Sequence, residues 1–268
     1  MAILARESGT IYYNVQGAAD AVPLLMLRGL GRSSRYWLGF DRIMAEHFKV
    51  ITIDQRGLGQ STQAMSWSDD IETLADDTLA VLDSLGIDRF HIFGLSFGGM
   101  IATVLAGKVP DRILSLSVAA SSSADYRSIR LHPLAFPKLL FALRAGRFQD
   151  ALLKAVVPSM VLREHGDSIQ AAWQEILQDE GFPLLTTLMH LKASLTHKIR
   201  DSLDQVNFPV LFLHGSLDAF VPLQNSRHLH RLVERSEYVV VKGAGHEIAL
   251  GFEREVSQVL RDFMDGVG

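Results

Sequence analysis

Residues 90–99, Phe90-His91-Ile92-Phe93-Gly94-Leu95-Ser96-Phe97-Gly98-Gly99, run from an apolar strand pattern into a G-x-S-x-G turn, and the helical pattern MIATVLAGKVP follows at 100–110. A strand that passes into a helix through so sharp a turn has no room for side chains on its flanks. Glycines at 94 and 98 let the backbone fold back, and Ser96 projects outward. The start of the following helix presents backbone N–H groups and a partial positive charge where an oxyanion would develop, with the Phe97 N–H as the first candidate donor. On its own the motif describes any tight turn; its place between strand and helix marks Ser96 as a candidate nucleophile.

A serine hydroxyl is a weak nucleophile at neutral pH and needs a base beside it. Ten histidines are present, but His246 alone lies in a Gly-Ala-Gly-His loop between a late strand pattern (237–241, EYVVV) and the final helical pattern, 247–264. Such a loop delivers an imidazole to the carboxyl edge of a sheet. His228 and His230 are two residues apart, hence on different faces of a helix, and make a poor metal pair. His190 and His197 are candidates for lining a pocket, and His214 for bracing the turn at Gly215. The base needs an orienting carboxylate, and Asp218 in HGSLDAFVP follows directly on the strand pattern 208–214. The chain order Ser96, Asp218, His246 suits three residues on successive strand-end loops. Asp125 is a rival from another loop; Glu247 adjoins the histidine and is expected to point away or to start the final helix.

Outward from this centre, apolar strand patterns at 23–27, 48–54, 90–94 and 113–120 alternate with helical ones, the rhythm of a parallel sheet with helices on its faces. Residues 71–86 place Ile71, Leu74, Leu79, Leu82 and Leu85 near one face and end on Gly86, so they read as a crossover helix. Ile11–Val15, between Gly9 and Gly17, reads as a strand of an antiparallel hairpin at the sheet edge. From 122 to 205 the spacing turns helical, and Pro133, Pro137, Pro158 and Pro183 divide it. The expected organisation is a core of 1–121 and 206–268 with a helical insertion at 122–205.

With these residues in place, the chain resembles the α/β-hydrolase superfamily over almost its whole length. The stretch GLSFGGMIATVLAGKVPDRILSLSV (94–118) is most similar to the esterase, enol-lactonase and haloperoxidase-like (perhydrolase) branch. The turn Asp54-Gln55-Arg56-Gly57-Leu58-Gly59-Gln60-Ser61 matches the family's D-x-R-G-x-G-x-S pattern, for which the resemblance implies a structural role. It also implies that 122–205 is a cap roofing the site, and that the Leu30 N–H is the second oxyanion donor. The family's oxyanion loop usually reads His-Gly, whereas here it is Arg28-Gly29-Leu30-Gly31. A backbone donor survives that change, but the bracing of the loop must differ, because arginine is longer and permanently charged. Arg28 is expected to pair with a nearby carboxylate, or else it or Arg32 attracts a carboxylate of the substrate.

Composition narrows the remaining field. Lys and Arg number 26 against 30 Asp and Glu, with neither sign in blocks, so a nucleic-acid or polybasic membrane surface is not expected. No cysteine is present, which excludes disulfides, thiolate metal sites and a cysteine nucleophile together. Charge at Arg6 and Glu7 interrupts any export signal, and no apolar run reaches the roughly 20 residues of a membrane span. The expectation is a cytoplasmic enzyme without metal or other cofactor, cleaving a small-molecule ester or lactone through an acyl-enzyme on Ser96. Carbon–carbon bond hydrolysis of a vinylogous diketone, acyl or peroxyacid transfer, and slow-turnover ligand reception remain as alternatives. Serine at 96, where the dehalogenase and epoxide-hydrolase branches carry aspartate, disfavours alkyl transfer.

Overall fold

In the computed structural model, which describes residues 2–124, 148–203 and 206–266, eight strands form one sheet. In chain order they are Ala2–Ala5 (β1), Thr10–Gln16 (β2), Pro23–Leu27 (β3), Lys49–Ile53 (β4), Phe90–Leu95 (β5), Ile113–Ala119 (β6), Val210–Gly215 (β7) and Ser236–Val241 (β8). Their spatial order is β1-β2-β4-β3-β5-β6-β7-β8. β2 runs antiparallel to β1 and β4, and the strands from β3 to β8 are mutually parallel.

Strand alternation builds a core on each face. Leu25 and Leu27 of β3 join Ile51, Ile92, Val118 and Phe212 on one side. Leu24 and Met26 join Phe93, Leu211 and Leu213 on the other. Parallel strands covered on both faces must be apolar throughout, and every residue of β5 and β7 is buried. Each fully buried Leu, Ile or Phe contributes ~1.5–3 kcal/mol.

The helices among the described residues are Phe40–Met44 (α1), Ile71–Ser84 (α2), Phe97–Lys108 (α3), Phe148–Val156 (α4), Ser159–Glu180 (α5), Leu184–Thr196 (α6), Arg200–Leu203 (α7), Gln224–Leu232 (α8) and Glu253–Asp265 (α9). α2 starts where Asp70 accepts the Thr73 N–H at 2.9 Å, a cap that contributes about 1 kcal/mol, and ends just before Gly86 at φ 63°. α3 is buried nearly all round because it lies between the sheet and its neighbouring helices. α4 to α7 occupy the chain between β6 and β7. Tyr36, Val156, Val161, Ile169, Trp173 and Leu250 form a separate apolar cluster that joins this helical segment to loops of the sheet. Among the described residues no helix is long and apolar enough to cross a membrane.

Two departures from the sequence reading matter. The final helix begins at Glu253 rather than at 247, because Gly251 sits at φ 77° and breaks the turn, while Ile248, Ala249 and Leu250 are buried from a loop. Their apolar spacing imitates a helix without forming one. β1 was not expected as a strand: four residues, mostly exposed, give no alternation to read.

Candidate active site

The residues singled out from sequence come from loops at the carboxyl ends of β3, β5, β7 and β8, the edge at which parallel sheets present ligands. Ser96 follows β5 at φ 56° and ψ −115°, a conformation that a non-glycine residue holds only when its surroundings enforce it. Those surroundings are identifiable. The Ser96 N–H donates to the Ala119 carbonyl at 2.7 Å, and the Ser121 hydroxyl donates to the Ser96 carbonyl at 2.8 Å. A Cβ on Gly98 would strike the carbonyl oxygen of Leu27 and come within 2.6 Å of that of Arg28, so the elbow is pressed against the loop that follows β3.

Ser96 is the one residue from His91 to Met100 that is not fully buried, and it lines a cavity of about 290 Å³. His246, Leu30 and Glu247 line the same cavity, with apolar walls from Leu152, Val156, Leu184, Leu188 and Leu191 of the helical segment. The amides of Leu30 and Phe97 have no acceptor among the described residues, as the first N–H groups of a helix and a tight loop permit.

His246 is buried, and its Nδ1 lies 2.9 Å from Asp218 Oδ2. The other carboxylate oxygen, Oδ1, accepts the N–H groups of Phe220 and Val221, each at 2.8 Å, and Oδ2 also lies 3.1 Å from His214 Nε2. Burial alone raises the pKa of the Asp218 carboxyl, but the facing imidazoles of His246 and His214 outweigh it and hold the group well below the usual carboxylate range. For His246 the balance is the mirror image. Burial depresses the imidazole, the Asp218 carboxylate with a further contribution from Glu247 offsets this, and the pKa rises above 6.5. His214 also bonds Ser226 through Nδ1 at 2.7 Å and approaches the Val221 carbonyl at 3.1 Å, so it braces the loop that carries Asp218.

A sign follows for activity. If His246 acts as a base it works only when neutral, so kcat/KM should rise with pH through a midpoint above 6.5. Initial rates from pH 5 to 9 check this, and a midpoint at or below 6.5 would separate the active base from the Asp218 contact.

Glu247 corrects the expectation that it points away or begins the final helix. It is buried, its N–H donates to the Val156 carbonyl at 3.0 Å, and its two carboxylate oxygens each lie 2.9 Å from Arg28 Nη2. The Arg28 guanidinium also lies 4.6 Å from the centre of the Trp37 ring. The loop between β3 and α1 is thus tied to the loop after β8. Arg28 is committed to this pair. Asp54 holds a neighbouring loop in place, accepting Ser34 N–H at 2.7 Å and Gln60 N–H at 2.9 Å.

A profile of the alpha/beta hydrolase fold family matches residues 22–251. The chain belongs to this family. It is 26% identical over 274 residues to the "Putative carbamate hydrolase RutD" of Caulobacter sp. (strain K31), covering 97% of this chain and 98% of that protein. Among solved structures it is similar to the enol-lactonase from Burkholderia xenovorans LB400, with TM-score 0.81, 20% identity, 98% of this chain and 100% of the other. It is likewise similar to Est816, described as an N-acyl homoserine lactone degrading enzyme, with TM-score 0.78, 25% identity, and 98% and 100% coverage.

Asp125 lies outside the described residues. His190 and His197 do not line the cavity. His190 stacks on Phe97 with ring centres 4.6 Å apart, and burial pushes its pKa down to about 4, so it is a neutral packing partner for the residue that follows Ser96. His197 Nε2 meets Thr103 Oγ1 at 3.1 Å. Among the described residues no three His, Asp or Glu side chains are grouped as a metal would require.

Proposed function

We propose that this family member is a serine hydrolase that cleaves a carboxylic ester or lactone through an acyl-enzyme on Ser96. The observation that carries the reading is the strained serine sharing one cavity with an imidazole whose far nitrogen is 2.9 Å from a buried carboxylate. In this mechanism His246 takes the Ser96 proton as the hydroxyl oxygen attacks the carbonyl carbon. The amides of Leu30 and Phe97 stabilise the tetrahedral oxyanion, and the proton passes from His246 to the departing alkoxide. Water then repeats the sequence, giving its proton to His246 and releasing the acid. Asp218 keeps the imidazole in the tautomer that presents a lone pair to Ser96 and stabilises the imidazolium once it forms. The helical segment, with residues 122–205 acting as a cap, shapes an apolar pocket for the acyl chain. The similarity to Est816 supports a lactone as readily as an open-chain ester, since both present the same acyl carbon.

A fluorophosphonate reports on this chemistry directly, because it phosphonylates only a serine that is both activated and faced by an oxyanion hole. The expected result is a single label on the peptide carrying Ser96, together with hydrolysis of p-nitrophenyl esters or lactones of graded chain length. Label found on another residue, or label undiminished in Ser96→Ala, would remove Ser96 from the mechanism.

A further inference from the structure

Arg32 stands four residues after Arg28 and, like it, is a buried cation stacked on aromatic rings, but it lacks the ion pair that Arg28 makes with Glu247. It is 6% exposed and lines the cavity that holds Ser96 and His246. Its guanidinium carbon lies 4.2 Å from the centre of the Tyr36 ring and 4.1 Å from that of Trp173, so aromatic faces from the β3 loop and from α5 hold it in position. Cation–π contacts use the face of a guanidinium and leave its in-plane N–H groups to other partners, of which the Tyr36 hydroxyl is one. Among the described residues Nη1 has no hydrogen-bond partner, and no carboxylate comes within ion-pair distance of Arg32. Glu247, the acid on this wall of the cavity, already has both oxygens on Arg28. The wall therefore holds two cations against one anion. Burial lowers the pKa of Arg32, yet a guanidinium keeps its proton at any pH at which an ester hydrolase works. A buried charge without an ion-pair partner is costly to retain, and a planar cation that lines a cavity and keeps an orphaned N–H suits a carboxylate, which can accept from it.

We propose that Arg32 is the anion subsite of this cavity and that the substrate is an ester or lactone bearing one free carboxylate on an otherwise apolar body. The reading rests on the hydrolase assignment above and adds the substrate's charge to it. The carboxylate belongs either to the acyl chain or to the leaving group, and paired substrates tell these apart. Methyl hydrogen glutarate against methyl pentanoate probes the acyl side; O-acetylglycolate against propyl acetate probes the leaving group. In one of the pairs the anionic ester should be preferred, and Arg32→Met should lower its kcat/KM roughly ten- to a hundredfold while leaving the neutral partner within about twofold. Arg32→Lys should recover part of the loss, because it restores charge without the planar fork. Arg32→Met should melt at or above the wild-type temperature, since it removes an uncompensated cation and keeps the apolar stem.

The anionic ester of the preferred pair should also raise the melting temperature of Ser96→Ala but not of Ser96→Ala/Arg32→Met, a readout that needs no turnover. Wild-type protein that prefers neither anionic ester, or an Arg32→Met variant that loses both classes equally with a lowered melting temperature, would overturn the subsite and leave the hydrolase reading standing. Absence of cleavage of every ester, with Arg32-dependent binding intact, would do the reverse.

Discussion

Ser96→Ala should lower kcat for any ester substrate by roughly four to six orders of magnitude, because loss of the proposed nucleophile removes the covalent step altogether. What remains is binding and the two proposed backbone donors, which would polarise a carbonyl toward water but offer no acyl-enzyme. The backbone at this residue is strained in the wild type and stays so in the variant, since alanine has the same φ preference as serine and the contacts that enforce the elbow belong to main chain and neighbours. The variant should therefore melt within a few degrees of wild type. Single-turnover measurements make the comparison sound at such low rates. Residual activity above about 1% of wild type, free of contaminating enzyme, would place the chemistry on another group.

Asp218→Asn is expected to cost roughly a thousand- to ten-thousandfold in kcat, by the logic of a tautomer set wrongly. In the native site Oδ1 is saturated by two backbone N–H groups and Oδ2 accepts from His246. An asparagine that keeps its oxygen on Phe220 and Val221 must turn its NH2 toward His246 Nδ1. The imidazole then has to accept there and carries its proton on the nitrogen that should receive one from Ser96. The same change removes the charge that offsets burial, so the midpoint of the kcat/KM profile should fall. A merely structural aspartate would not move that midpoint. Asp125→Asn, by contrast, should stay within a few-fold of wild type; a crippled Asp125→Asn beside a near-normal Asp218→Asn would transfer the orienting acid to the other loop.

The local parts of this architecture were legible in the sequence because they obey local rules. Pro23–Leu27 is apolar on both faces, α2 stops at a glycine, and the serine elbow declares itself through glycines that a short turn demands. Its place just after the strand pattern 208–214, together with chain order, led to Asp218 for the contact with His246. The failures have a common cause. Glu247 could not be read because its partner is far away in the chain, and the helical spacing of Ile248 to Leu250 reflected burial in a loop rather than a turn of helix. Arg32 shows the limit most clearly. The sequence left open whether Arg28 or Arg32 would meet a substrate carboxylate, and only the assembled cavity, in which Glu247 is taken by Arg28, separates the two.

The pairing of Arg28 with Glu247 spans 219 residues of chain. At a synthesis rate of about 5–20 residues per second, the arginine emerges roughly ten to forty seconds before its counter-ion exists. Throughout that interval the loop after β3 has a cation without the carboxylate that receives it in the finished fold, and water is a good solvent for it. The growing chain therefore has an electrostatic reason to keep this loop open while the central strands are already available to pair. Its closure, and with it the seating of one proposed oxyanion donor, waits for the segment carrying the histidine. Completion of the fold and completion of the proposed catalytic centre become one late event of biosynthesis, so a half-made chain holds an elbow serine but not the environment that would make it reactive.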